Sequence, residues 1–222
     1  MKKFMALLLV AGMTLSLTAC GGSTDTAKTD QADGKDTFTV GFDQDFPPFG
    51  YVGDDGEFTG FDIEMATECA ARMGKKIVLQ PIDWDAKDME LEAGTIDCIW
   101  NGFTMNGRED QYTWTDPYMD NSQVVVVKKD SGINTLADLA RKVVEVQKES
   151  AAETALNDEE HADLMASFAQ LLSVGEYNTA FMDLESGAVD AVAIDIGVAQ
   201  FQIEGKEDQY QILDETISSE QY

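Results

Sequence analysis

The 222-residue chain predicts an α/β protein of two lobes, each a largely parallel sheet with helices on its faces. Three observations predict it. Strand-like and helix-like segments alternate along most of the chain, which argues for parallel strands joined by helical crossovers. An internal echo relates residues 89–99 (MELEAGTIDCI) to residues 182–192 (MDLESGAVDAV) without a gap. It reads either as two lobes of one architecture or as the likeness of any helix–glycine–strand unit. Finally, the apolar run from Gln123 to Lys129 (QVVVVKK) is a candidate strand crossing between the lobes.

The elements follow in order. Thr37 to Phe42 reads as a strand, and the next residues, Asp43 to Phe49, carry two prolines that block both strand and helix. That segment is expected to be a loop at a strand end. Phe61, Met65, Cys69 and Met73 recur at i, i+4 and predict a helix stopped by Gly74. Ile77 to Gln80 is a strand, Lys87 to Ala93 a helix ended by Gly94, and Ile96 to Trp100 a buried strand. In the second half, Val143 to Gln147 is a strand. Ser150 and Glu153 have capping-box spacing for a helix start. Asn178 to Ser186 is a helix ended by Gly187, Val189 to Ile194 a strand, and Ile196 to Glu204 a helix ended by Gly205. Both copies of the echo run out into polar or small residues, Asn101-Gly102-Phe103-Thr104 in one and Asp195 in the other. Ligands of open α/β sheets bind beyond the carboxyl ends of strands, so two such ends facing each other would form a cleft.

Composition narrows the function classes. A formal charge of −27 repels nucleic-acid phosphates and anionic headgroups, which excludes both as partners. Three cysteines and one histidine form no zinc-ligand pattern, so neither a metal nor another cofactor is expected. Cys69 and Cys98 are read as free thiols rather than a pair, and His161, in an acidic stretch expected to be exposed, makes a poor general base.

The amino terminus reads as a targeting segment. Lys2 and Lys3 precede an apolar stretch from Phe4 to Leu17, too short to span a membrane comfortably. Leu17-Thr18-Ala19-Cys20 resembles the lipobox of bacterial lipoproteins. The resemblance implies cleavage before Cys20, lipidation of its sulfur, and an extracytoplasmic, membrane-anchored body. Residues 1–19 are then a signal peptide, and 20–36, small and polar, a flexible tether.

Several motifs together resemble the polar amino-acid family of periplasmic solute-binding proteins, the receptors of ABC importers. They are Gly41-Phe42-Asp43 with Phe46-Pro47-Pro48-Phe49, Gly60-Phe61-Asp62-Ile63, Trp84-Asp85-Ala86, Gly102-Phe103-Thr104, Arg108 before Thr115-Asp116-Pro117-Tyr118, and Val189-Asp190-Ala191 with Asp195. The resemblance implies a two-lobed, periplasmic-binding-protein-like (type II) fold, with lobe 1 at 37–121 and lobe 2 at 122–222, closing on a free, polar L-amino acid. It implies a monomer that passes its ligand to the permease subunits of a transporter.

The site residues are carried over from the same resemblance. Arg108 should grip the α-carboxylate with its planar fork, although a loop arginine beside Glu109 and Asp110 can also be plain surface. Asp195 should accept from the α-ammonium, or cap the helix that follows. Asn101, Gly102 and Thr104 belong to the loop that supplies a backbone acceptor and a hydroxyl. Ser150 starts a helix suited to a carboxylate, with capping as its simpler role. Phe46 and Trp84 should flank the ligand side chain, and Asp43 should lie at its far end, which points to glutamine or a basic amino acid.

The chain departs from the family pattern in three places. The run before Arg108 is one residue short (Asn106-Gly107), Lys148-Glu149 replace small residues before Ser150, and Tyr222 ends the chain before the segment that returns to lobe 1. Two other roles on the same fold stay open at this point: a cyclohexadienyl dehydratase-like enzyme and the ligand-sensing domain of a receptor.

Overall fold

The computed structural model describes residues 36–222. The expected signal peptide, Cys20 and most of the tether lie outside them. Among the described residues, no helix is long and apolar enough to cross a membrane.

Lobe 1 begins with strand β1 (Thr37–Phe42). A small antiparallel ribbon follows, made of β2 (Asp45–Phe46), β3 (Gly50–Val52) and β4 (Phe58–Thr59). The expected loop thus contains a two-residue strand. Helix α1 (Phe61–Arg72) leads to β5 (Lys76–Pro81), and helix α2 (Lys87–Ala93) leads to β6 (Cys98–Ile99). The three longer-range strands form a parallel sheet in the order β5-β1-β6.

One expectation needs correction here. The strand predicted over Ile96 to Trp100 pairs only at Cys98–Ile99, because Asn101 and the residues after it turn away into the site loop. The large apolar series on α1 is not its buried face. Phe61 and Met73 are exposed, while Asp62, Ile63, Ala66 and Ala70 are buried. Small alanines let the helix approach the sheet closely, and Phe61 instead stacks on Tyr118, with ring centroids 6.2 Å apart.

Lobe 2 is built on β7 (Asp120–Lys128), which runs across the expected division at 121/122. Strand β8 (Val143–Gln147), helices α3 (Ala151–Leu156) and α4 (Ala162–Ser167), β9 (Gln170–Val174), α5 (Tyr177–Ser186), β10 (Ala191–Asp195) and α6 (Ile196–Ile203) follow. The last elements are β11 (Tyr210–Ile212) and β12 (Ser218–Gln221). The sheet order is β11-β7-β10-β8-β9. Strand β7 is antiparallel to β10, β11 and β12, and the last two share one edge of it. Alternate residues of β7 feed two cores: Val124 and Val126 pack on one face, Val125 and Val127 on the other. A sheet covered on both faces requires an unbroken apolar run, which is what 124–127 supplies.

The echo is a structural repeat. Both lobes order three parallel strands alike, β5-β1-β6 and β9-β8-β10. In each copy the glycine after the helix takes a left-handed conformation, with φ of 69° at Gly94 and 81° at Gly187. The aspartates of the two copies do the same work. The Thr39 amide donates to Asp97 Oδ2 (2.8 Å) and the Val143 amide to Asp190 Oδ2 (2.9 Å), each carboxylate bridging to the neighbouring parallel strand.

The ribbon of lobe 1 reaches into lobe 2. Phe46 and Phe49 pack into the same core as Tyr177, Val198 and Tyr222. Cys69 and Cys98 are free thiols. His161 is half-buried rather than exposed, and its Nδ1 meets no hydrogen-bond partner.

Candidate functional site

The carboxyl ends of β1, β6, β8 and β10 face one another between the lobes, as open α/β sheets place their sites. The residues following those strands make the cleft. Asp43 follows β1. Its amide donates to Asn101 Oδ1 (2.8 Å), its Oδ1 accepts from the Asp45 amide (2.8 Å), and its Oδ2 accepts from Gln147 Nε2 of lobe 2 (2.6 Å). Asn101 therefore ties two loops together. Burial, opposed by those bonds, pushes the Asp43 carboxyl up to about 6.

The innermost cavity encloses about 20 Å³ and is lined by Phe46, Trp84, Asn101, Gly102, Phe103, Thr104, Arg108, Ala151 and Asp195. That is room for about one water molecule, so anything larger enters only when the lobes part. Seven of the nine expected binding residues line it together. Asp43 instead lines a larger outer cavity. Ser150 lies behind Ala151 as the cap of α3, its Oγ accepting from the Glu153 amide (3.1 Å). The expected capping box is incomplete. Glu153 reaches the Glu149 amide (2.6 Å), one residue earlier than the box requires, because Glu149 turns the chain with a positive φ of 58°.

Arg108 is half-buried and ion-pairs with neither Glu109 nor Asp110. Its Nη1 donates to the Thr104 carbonyl (3.1 Å), and its Nη2 lies 3.4 Å from Thr154 Oγ1 of lobe 2. Its guanidinium sits 5.2 Å over the Phe103 ring. That ring packs edge-on against Trp84 at 5.3 Å. The loop turns at Gly102, whose φ is +54°, and a Cβ there would stand 2.6 Å from the Tyr222 ring. Both facts require glycine.

Asp195 precedes α6 but its side chain makes no cap bond. Its Oδ1 accepts instead from Asn121 Nδ2 (2.7 Å), Gln123 Nε2 (2.6 Å) and the Tyr222 hydroxyl. Burial first, and then the charge of Glu220, push its carboxyl up to about 6. Asn121, Gln123, Glu220 and Tyr222 were not among the expected site residues. Asn121 and Gln123 stand two apart at the start of an apolar strand, so they share a face of it. Polar residues at that spacing in front of four valines are a local signal of the site that the sequence reading passed over.

The outer cavity, about 500 Å³, continues from Asp43 and Trp84 to the surface between the lobes. Asp43, Asp45, Asp83, Asp85, Glu90 and Glu176 line it, and no lysine or arginine does. At its rim Lys148 Nζ pairs with Asp85 Oδ2 (2.7 Å), and nearby Lys87 Nζ pairs with Glu149 Oε2 (3.0 Å). Both pairs bridge the lobes, and both use the Lys148-Glu149 departure.

Comparison with known proteins accords with this geometry. Residues 38–180 match the family model described as bacterial extracellular solute-binding proteins, family 3. The arginine-binding extracellular protein ArtP of Bacillus subtilis (strain 168) is 36% identical over 148 residues, covering 66% of this chain and 56% of that protein. The L-cystine-binding protein TcyJ of Escherichia coli (strain K12) is 31% identical over 194 residues, covering 86% of this chain and 69% of that protein. Among solved structures, a substrate-binding protein of an ABC uptake transporter from Streptococcus pneumoniae with bound histidine superposes with a TM-score of 0.79. It is 33% identical, and the match covers 84% of this chain and 78% of the other. The chain thus spans little more than half the length of the first of these relatives.

Proposed function

From the premise that the chain belongs to the family 3 bacterial extracellular solute-binding proteins, we propose that its cleft captures a free, basic L-amino acid without chemically changing it. One observation carries the reading: a cation, Arg108, and a buried anion, Asp195, line the same small cavity from different halves of the chain. A free amino acid carries the complementary pair on one carbon. Arg108 takes the carboxylate in its fork, and Asp195 with Thr104 takes the ammonium. Phe46 and Trp84 flank the side chain, and Gly102 brings the backbone close.

The preference for a basic side chain follows from the outer cavity. Six carboxylates around it favour a cation at the far end. Relatives whose names specify arginine and histidine are in keeping with this reading. In this role the protein is an extracytoplasmic monomer, anchored through Cys20 and delivering its ligand to the permease subunits of an ABC importer. A mature amino terminus other than Cys20, read by mass spectrometry, would remove the anchor from the reading.

Thermal-shift and calorimetric screening of the twenty amino acids tests the ligand. Arginine, lysine or histidine should raise the midpoint most, since a ligand at 100 times its Kd adds about 2.7 kcal/mol. Leucine or glutamate binding as tightly as any basic amino acid would refute the preference, and no shift with any of the twenty would refute the function.

A further inference from the structure

Strand register places a second carboxylate beside Asp195. Asp195 pairs with Gln123 across one edge of β7, and Glu220 pairs with Asn121 across the other. Directly opposed residues share a face of a sheet, so all four side chains meet on one side. Asn121 Nδ2 donates to Asp195 Oδ1 (2.7 Å) and to Glu220 Oε1 (2.7 Å). Gln123 Nε2 does the same, at 2.6 and 2.7 Å. Two buried carboxylates therefore share two amide nitrogens, and neither has an ion-pair partner among the described residues.

The Thr104 hydroxyl, from lobe 1, donates to Glu220 Oε1 (2.7 Å). Its hydrogen is thereby spent, and its lone pairs remain as acceptors at the cavity wall. Among the described residues, the hydrogen bonds to Asp195 all fall on Oδ1, which leaves Oδ2 for a ligand. The amide oxygen of Gln123, also buried, has no partner.

We propose that Glu220 is a positioning residue of the ammonium subsite: it orients the Thr104 hydroxyl and, by its charge beside Asp195, makes capture of an ammonium group expel a proton from Asp195. The proposal rests on the amino-acid reading of the cleft. The charge of Glu220 disfavours ionisation of Asp195 when no cation is near. An arriving ammonium supplies the missing positive charge. The carboxyl O–H bond breaks, the proton leaves to solvent, and an ammonium–carboxylate pair takes its place. The other titratable or charged groups facing the pair are Tyr222 beyond β12, Tyr177 on α5, Asp43 after β1 and Arg108 across the cavity. Both phenols are held well above their usual range, mainly by burial, and stay neutral. Asp43, and Asp62 behind the Gly102 loop, are the other carboxyls near the cleft pushed up to about 6.

The test uses L-arginine as probe on the unmodified protein, with the midpoint compared between it and Glu220→Gln so that the other carboxyls cancel. Titration calorimetry at pH 6 in two buffers of different ionisation enthalpy should show net proton release on binding. The Kd should be about tenfold weaker at pH 5 than at pH 7, as for one group near 6 that must ionise. Glu220→Gln keeps the acceptor for Thr104 but removes the charge. It should move the midpoint of this dependence acidward by roughly 0.5 pH unit or more and reduce the proton release at pH 6. Glu220→Ala should weaken binding at pH 8, and Thr104→Val should add little to that loss, since both act through one hydroxyl. An unmoved midpoint in Glu220→Gln, or binding without proton release, overturns the proposal. If L-arginine does not bind the unmodified protein, the basic-ligand reading fails, and the pair is tested alone by carboxyl 13C NMR of the ligand-free protein. An Asp195 step near pH 6 that shifts acidward in Glu220→Gln supports the proposal, and a step that stays in place refutes it.

Discussion

Arg108 and Asp195 both line a cavity smaller than any amino acid, so their worth lies in what they gain when a ligand bridges them. Losing one partner of a buried charged pair costs roughly 2–5 kcal/mol, about 30- to 5,000-fold in Kd. Arg108→Ala should lose at least the lower figure. Arg108→Lys should recover only part of it, because a point charge does not reproduce the planar fork that also rests on Phe103. Asp195→Asn should weaken a free amino acid more than its deamino analogue. Titrating each variant against the amino acid, its carboxyl amide and its deamino analogue reads both contacts. Binding of the free amino acid within about threefold of wild type by both Arg108→Ala and Asp195→Asn would show the site to be misassigned. The types and spacing of most of these residues were legible in sequence. Their partners were less so, because Glu220 and Tyr222 reach Asp195 only through the register of β12 on β7.

At the scale of elements, the two lobes repeat a helix–glycine–strand unit whose aspartate crosses to the next strand. Removing Asp97 or Asp190 leaves the Thr39 or Val143 amide without its acceptor. Such a loss costs about 1–3 kcal/mol. Asp97→Ala and Asp190→Ala should each lower the urea midpoint by a similar amount, with an unchanged slope. Equal slopes but no loss in either variant would make the echo a likeness without consequence.

The contacts between lobes differ in kind. Lys148–Asp85 joins side chains 54% and 37% exposed, whereas the Lys87 side chain is 4% exposed and also lies over the Trp84 ring. Exposed pairs contribute about 0–1 kcal/mol and weaken further in salt. Lys87→Met should therefore speed ligand release more than Lys148→Met does, and stopped-flow dissociation at low and high salt would measure both. Release rates ranked the other way would mean that the exposed pair governs closure. The Lys148-Glu149 departure was visible in the sequence. Its use as an interlobe contact was not, because neither lysine has its acid nearby in the chain.

Across the whole molecule, acidity dominates. Asp43, Asp62 and Asp195 each have a carboxyl pushed up to about 6, with burial as the largest cause. A carboxyl raised on folding binds more protons in the native than in the unfolded state between its two pKa values. Stability contributed by it is present below the unfolded value near 3.8 and is lost as pH rises through about 6. The net charge of −27 acts in the same direction, since self-repulsion eases as carboxylates protonate. The ligand-free protein should therefore melt at a higher temperature at pH 5 than at pH 7.5. For a chain of this size each 1 kcal/mol is worth about 2–4 °C. A melting point that falls steadily from pH 7.5 to pH 5 would contradict these shifts. Ligand affinity should move the opposite way, because Asp195 must be ionised to hold an ammonium.

The sequence by itself determined the class of fold, the order of its elements and the residue types of its site. Periodicity, prolines and glycines are local signals, and they act on the chain wherever it goes. Thr37–Phe42 and Lys87–Ala93 form over the residues whose side chains and stop signals dictate them. Tertiary structure alone decided which face of α1 is buried, how short β6 is, and which side chains surround Asp195. Burial depends on what the neighbouring sheet can accommodate, and pairing depends on strand register. Both are set by contacts between residues far apart in the chain, such as Thr104 with Glu220, and no local pattern records them.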